Sequence, residues 1–207
     1  MILSRAFILA PIALAVALAA PVGAQMPAPG AADASRVVAG TYAADPAHTQ
    51  VAWRLSHLGF STYDGLFGGT TGTMTIDPAK LAATTIAVTV PIAGLVTTVP
   101  ALDTHLKSPD FFDAAKFPTA TFTSTGVAVS ATRARITGML TLHGVSRPVT
   151  LDARFVGAGL NPRTKKTAVG FEATTTIKRS DYGMSYSVPA VGDEVALTIN
   201  AAFEKAN

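Results

Sequence analysis

Cysteine is missing from the chain. That absence excludes disulfides, thiolate catalysis, Cys-ligated zinc and acylation of a lipoprotein cysteine. No basic stripe interleaved with aromatics is present and the formal net charge is only +3, so nucleic acid is not an expected partner. No Gly-x-Ser-x-Gly elbow occurs, and the serines lack a matched His/Asp arrangement. Gly68-Gly69 is not followed by Lys-Ser or Lys-Thr, so it is not a phosphate loop. The four histidines, His48, His57, His105 and His143, lack metal-site spacing; His48 and His57 already stand nine residues apart, a whole strand. No metal, no cofactor and no catalytic residue is expected.

Long apolar runs are also scarce, with one exception at the start. Arg5 precedes Ala6 to Ala20, an apolar stretch broken only by Pro11, and Val22-Gly23-Ala24 supplies small residues before Gln25. A spanning helix needs about 20 apolar residues; this run is shorter and contains a proline, so residues 1–24 read as a cleavable secretory signal peptide. Its loss removes Arg5 and takes the net charge from +3 to +2. Export without cysteines fits the bacterial periplasm or the outside of the cell. Residues 25–40 are rich in Pro, Gly and Ala and read as a flexible leader with no packing role. Residues 41–207 then form one domain, long enough to stand on its core alone.

What is present is alternation. Val51, Trp53 and Leu55 share a face against Gln50, Ala52 and Arg54. Glycines at 65, 68, 69 and 72 surround a second strand ending at Ile76, and suggest bulges or sharp coiling. Ile86, Val88, Val90 and Ile92 form a third. Further strands follow at Phe117–Val129, Arg133–Leu142, Val149–Phe155, Val169–Ile177 and Val195–Phe203, with a surface loop over 157–167. Between the third and fourth strands lies the one helical segment, roughly Pro100 to Ala115. Asp103 or Ser108-Pro109 can start a short helix there, and it carries Phe111-Phe112. The class is all-β: an antiparallel meander of eight strands, the size at which a closed barrel fills itself or holds one small ligand.

A series of short motifs carries a resemblance. Tyr42, Asp45, His48-Thr49 and Val51 lead into Ser56-His57-Leu58-Gly59-Phe60 and Gly65-x-Phe67. His105-Leu106-x-Ser108-x-Asp110-Phe111-Phe112-Asp113 and Phe117-Pro118-x-x-x-Phe122-x-Ser124 follow. Gly138-x-Leu140-Thr141-Leu142-His143-Gly144-Val145-Ser146-Arg147-Pro148-Val149 and Arg179-Ser180-Asp181-Tyr182-Gly183-Met184 complete it. In this order the set resembles the YceI-like lipid/polyisoprenoid-binding family, over about Thr41 to Glu204. The resemblance implies an eight-stranded lipocalin-like barrel with a helical insertion between strands three and four. It also implies a long apolar tunnel for a polyisoprenoid or other long-chain amphiphile, a periplasmic location, and links to lipid or isoprenoid-quinone handling and stress responses.

The residues nominated for the ligand are Trp53, His57, Phe60, Phe67, His105, Phe111, Phe112, Phe122, Phe171, Arg179, Tyr182 and Met184. Aromatics bring large apolar area and methionine adapts to irregular shapes. His57, His105 and Arg179 would orient a polar head at the mouth, and the helix with Phe111-Phe112 would gate it. His48 and His143 read as turn residues; Asp110, Asp113 and Asp181 fit capping or surface pairing as well as chemistry. The expected partner is a polyisoprenoid or long-chain lipid, with transient membrane contact and a homodimer left open. The rival reading is a structural or stress-protective barrel filled by its own side chains.

Overall fold

The computed structural model describes residues 28–206; the signal peptide expected over 1–24 lies outside them. Strands β1 (Gly40–Ala44), β2 (Gln50–His57), β3 (Ser61–Phe67), β4 (Thr71–Ile76), β5 (Thr85–Pro91) and β6 (Leu95–Val96) precede the helix α1 (Pro100–Leu106). After it come β7 (Thr119–Ser130), β8 (Arg133–Leu142), β9 (Val145–Leu160), β10 (Thr167–Lys178) and β11 (Glu194–Lys205). The ring runs β1-β4-β5-β7-β8-β9-β10-β11 and closes from β11 back to β1, eight antiparallel members in all. Strands β2, β3 and β6 continue β1, β4 and β5 beyond local breaks, so the eleven segments make the eight staves of the expected meander.

The breaks are stitched to one another. Strand β11 pairs with β2 over residues 196–200 and with β1 over 203–205. At the gap, the Thr49 hydroxyl donates to the Ala202 carbonyl (3.0 Å) and accepts from the Ala202 N–H (3.1 Å), replacing a missing rung. The Gly69 N–H donates to the Pro46 carbonyl (3.3 Å) and the Gly68 N–H to that of Gly94 (3.1 Å). Bends of this kind are where buried backbone groups need side chains or distant carbonyls as partners.

Two apolar clusters occupy the barrel. One gathers Trp53, Phe67, Ile92, Leu95, Leu106, Leu142, Tyr182 and Met184 at the α1 end. The other gathers Tyr42, Met74, Ile76, Ala158, Val169 and Phe203 at the opposite end.

Three expectations need correction. The helix stops at Leu106, and 107–116 are turns tied by the Ser108 carbonyl, which accepts from Phe111 and Asp113 N–H (3.1 and 2.9 Å). Ser108-Pro109 therefore starts no second helix, and Phe111-Phe112 follow the helix rather than ride on it. Second, the leader packs from residue 28 onward. Ala31 bridges to Ala158, with reciprocal hydrogen bonds of 3.1 and 2.9 Å, and Val37 packs against the Tyr42–Phe203 cluster. Gly157 and Gly159 make that approach possible: a Cβ on Gly159 would stand 2.1 Å from the Pro29 carbonyl oxygen. Third, that pairing and β10 carry β9 on to Leu160, so the loop begins only at Asn161.

Gly72 shows how tightly the staves are drawn together. Its φ is +128°, and a Cβ there would lie 2.2 Å from the Ala87 carbonyl oxygen on β5. Gly72→Ala is expected to cost about 3 kcal/mol through strain and backbone collision. Urea denaturation would show a lower midpoint at unchanged slope.

Candidate functional site

The inward faces of the staves enclose a continuous cavity of about 1020 Å³ that runs between the two clusters. Its walls follow the period-2 pattern: Val51, Trp53, Leu55 on β2; Ile86, Val88, Val90 on β5; Leu151, Ala153, Phe155 on β9. Phe171, Ala173, Thr175, Ile177 on β10 and Val195, Leu197, Ile199, Ala201, Phe203 on β11 continue it. On β7 a register shift between Ser124 and Gly126 switches the inward set from Ala120 and Phe122 to Val127 and Val129. The volume is at the upper end of the ~300–1,000 Å³ usual for small-molecule pockets.

Glycines seat the large rings against the wall. A Cβ on Gly65 would collide with the Trp53 indole, and one on Gly138 with the Phe122 ring (2.4 Å), so each ring occupies space that only a bare backbone leaves free. Trp53 also stacks on Tyr63, its diagonal neighbour on β3, with centroids 6.3 Å apart.

The α1 end is an aromatic mouth. His105, Phe111 and Tyr186 meet edge to face with centroids 5.1–5.6 Å apart, and Phe112 meets Phe67 at 5.4 Å. His105 Nε2 pairs with Asp110 at 3.2 Å. Asp103, in the first turn of α1, accepts from the Thr97 N–H (2.7 Å) and hydroxyl (2.6 Å), which fixes the helix to the chain entering it.

Arg179 is 4% exposed, and its guanidinium is committed. It donates from Nε to Gly192 (2.9 Å), from Nη1 to Met184 (2.8 Å) and from Nη2 to Val191 (2.9 Å), all backbone carbonyls. Burial lowers its pKa, and the nearby Asp193 carboxylate works against that. Asp193 accepts from the Ser180 N–H (2.9 Å) and hydroxyl (2.8 Å), and the backbone bond holds its carboxyl below the usual range, with Arg179 adding to it. Residues 179–193 thus form a tied wall that also bridges to His57 through Val191.

Of the nominated residues, Trp53, His57, Phe67, His105, Phe111, Phe112, Phe122, Phe171, Arg179 and Met184 line the cavity. Phe60 does not: the turn at Leu58-Gly59 (φ 56° and 71°) carries it past the rim, where it is 90% exposed. Tyr182 does not either; it is buried in the wall cluster, and Tyr186 takes the place at the mouth. Reading aromatics by identity missed Tyr63, Tyr186, Phe155 and Phe203, although Tyr63 shares its parity with Phe67 on β3. His48 pairs with Asp45 at 2.6 Å, a turn contact, whereas His143 donates from Nδ1 to the Tyr182 carbonyl at 2.9 Å and so ties the β8–β9 turn to the distant 179–182 segment. Among the described residues no three His, Asp or Glu side chains gather as metal ligands.

A family model described as the YceI-like domain matches residues 42–203. The chain belongs to the YceI-like family. It is 41% identical over 153 residues to Protein YceI of Escherichia coli O157:H7, covering 74% of this chain and 80% of that protein. Among solved structures, the YceI protein of Campylobacter jejuni matches with TM-score 0.65 and 32% identity, over 73% of this chain and 90% of that one. Burkholderia cenocepacia BcnA matches with TM-score 0.69 and 24% identity, over 77% and 98%. A polyisoprenoid-binding domain from Saccharophagus degradans shares the fold at TM-score 0.61 and 15% identity, over 80% of this chain and 98% of that one.

Because its pKa is depressed on folding, Asp193 stabilises the protein above its ordinary value of about 4. That contribution is lost as pH falls through the lower folded value. Asp193→Asn should therefore be destabilised at pH 6, and the gap from the native protein should shrink towards pH 2 in denaturant titrations.

Proposed function

We propose that this chain is a binding and carrier protein that holds a polyisoprenoid or another long-chain amphiphile in its barrel, without catalysis. The observation that carries this reading is the continuous cavity of about 1020 Å³, walled on every stave by apolar side chains. A barrel filled by its own residues would not leave it. Each buried CH₂ of a ligand contributes about 0.8 kcal/mol, so a tail of ten carbons supplies roughly 8 kcal/mol before the ordering cost. The tunnel reads length and shape, and the mouth at His57, His105 and Tyr186 receives the ligand's polar end or lets it pass.

The polyisoprenoid-binding domain of Saccharophagus degradans, alike in fold, supports the choice of cargo class. The apolar run at Ala6–Ala20 supports export, and with it action in the periplasm. Exposed Leu58 and Phe60 beside the mouth give it an apolar rim suited to transient contact with a membrane.

Mass spectrometry of an organic extract tests the reading, on protein purified from the periplasm without detergent. A stoichiometric long-chain compound is expected. A clean extract, with no uptake of added octaprenyl or palmitoyl compounds, would overturn it.

A further inference from the structure

The two sides of the mouth differ in charge. One side is the run 103–116, which carries Asp103, His105, Lys107, Asp110, Asp113 and Lys116. The other is built from two segments that hold no Asp, Glu, Lys or Arg: residues 55–63 of the β2–β3 hairpin and residues 182–192 of the loop before β11. Backbone bonds tie these two together. The Leu58 N–H donates to the Ala190 carbonyl (2.9 Å), the Gly192 N–H to that of Ser56 (2.8 Å), and His57 bridges to Val191. His57, Ser61, Tyr63, Tyr186, Ser187 and Val191 line the cavity, so the two segments make one rim. The first charges down the hairpin, Arg54 and Asp64, neutralise each other through a two-point pair at 2.6 and 3.2 Å. At the summit stand Leu58, half-exposed, and Phe60, almost wholly exposed; neither lines the cavity. Leu58 is held at φ 56°, a left-handed position where glycine or asparagine is the usual occupant. The chain carries a leucine there, outside both apolar clusters, so no core contact explains the strain.

We infer that this charge-free rim, with Leu58 and Phe60 at its summit, is the surface by which the protein docks on a lipid bilayer, with the side at 103–116 left in water. The inference deepens the carrier reading and rests on it: cargo that partitions into lipid reaches the tunnel from a lipid phase, and this rim opens directly into the tunnel. Seating the rim among headgroups and acyl chains removes apolar surface from water and strips no full charge of its hydration. The opposite side, with Asp110, Asp113 and Lys116, would have to desolvate charges to do the same. A protein partner fits less well. The exposed rim residues, 56–62 with 185–187 and 189–190, fall well short of the ~20–30 residues a side of a stable protein interface. Wedging two side chains into a bilayer surface needs no such area. Attachment is therefore apolar rather than electrostatic, and insensitive to salt.

Flotation of the purified protein with neutral phosphatidylcholine vesicles tests this. The native protein should float with the vesicles equally well at low and high salt. Phe60→Ser should weaken the association about tenfold. Leu58→Asn should weaken it comparably yet melt no lower than the native protein, because asparagine accepts the left-handed backbone better. Both variants should take up dansyl-undecanoate from solution as the native protein does, since neither side chain lines the cavity, but should load it more slowly from vesicles. Brominated phosphatidylcholine should quench the emission of Phe60→Trp more strongly than that of the native protein, whose one tryptophan is buried in the wall. Equal flotation of the native protein and both variants, or loss of vesicle binding at high salt, would overturn the docking. So would a dimer in sedimentation velocity that Phe60→Ser dissolves while vesicles bind nothing, since a second copy would then cover the rim. Failure to take up dansyl-undecanoate from solution or from vesicles would instead overturn the carrier reading.

Discussion

Strand β11 is the constraint on which the rest of the structure depends. It pairs with β10 along nearly its whole length, and on its other edge it is shared between β2 and β1. Only because the Thr49 hydroxyl supplies the rung at Ala202 does that edge close without an orphaned amide. Closure removes the exposed edges that would otherwise invite aggregation. It also forces one face of every stave inward, so the alternation of the sequence becomes the wall of a tunnel. Eight staves leave an interior that side chains either just fill or just fail to fill. Here Ala120, Ala153, Ala173 and Ala201 at inward positions decide for a cavity.

The two ends are closed by different physics. At the end away from α1, the segment around Ala31 to Val37 lies across the barrel through backbone pairing and apolar contact. At the mouth, the wall is a loop organised by one buried cation. Burying a guanidinium costs several kcal/mol unless its donors are met. Arg179 meets that cost with three carbonyls that would otherwise be orphaned themselves. Cation and loop thus each depend on the other, and the mouth inherits a defined shape from a segment with little regular structure. The aromatic trio of His105, Phe111 and Tyr186 is positioned against that fixed wall.

The barrel was legible because its signal is local and repeated. Parity alone places Val51, Trp53 and Leu55, or Ile86, Val88 and Val90, and a closed sheet turns parity directly into inside and outside. Where parity ends, legibility ends. Phe60 and Tyr182 are aromatic, and the sequence cannot say that a left-handed hairpin turn throws one outward while a short 3-10 turn buries the other in the wall. The packing of residues 28–39 rests on glycines 157 and 159, more than a hundred positions away, and composition carries no trace of such a contact. The helix stops early for a similar reason: a further turn beyond Leu106 would have to displace backbone bonds made by Ser108.

Length and head group are read by separate parts of this wall. The apolar lining rewards every methylene alike, so by itself it favours the longest chain that fits and does not tell one head from another. Polar and aromatic groups meet at the α1 end, where His105, Phe111 and Tyr186 stand against the loop tied by Arg179. Because that loop is held by buried bonds, the shape of the mouth is set before a ligand arrives, and discrimination between heads falls to a preformed surface rather than to a closing segment.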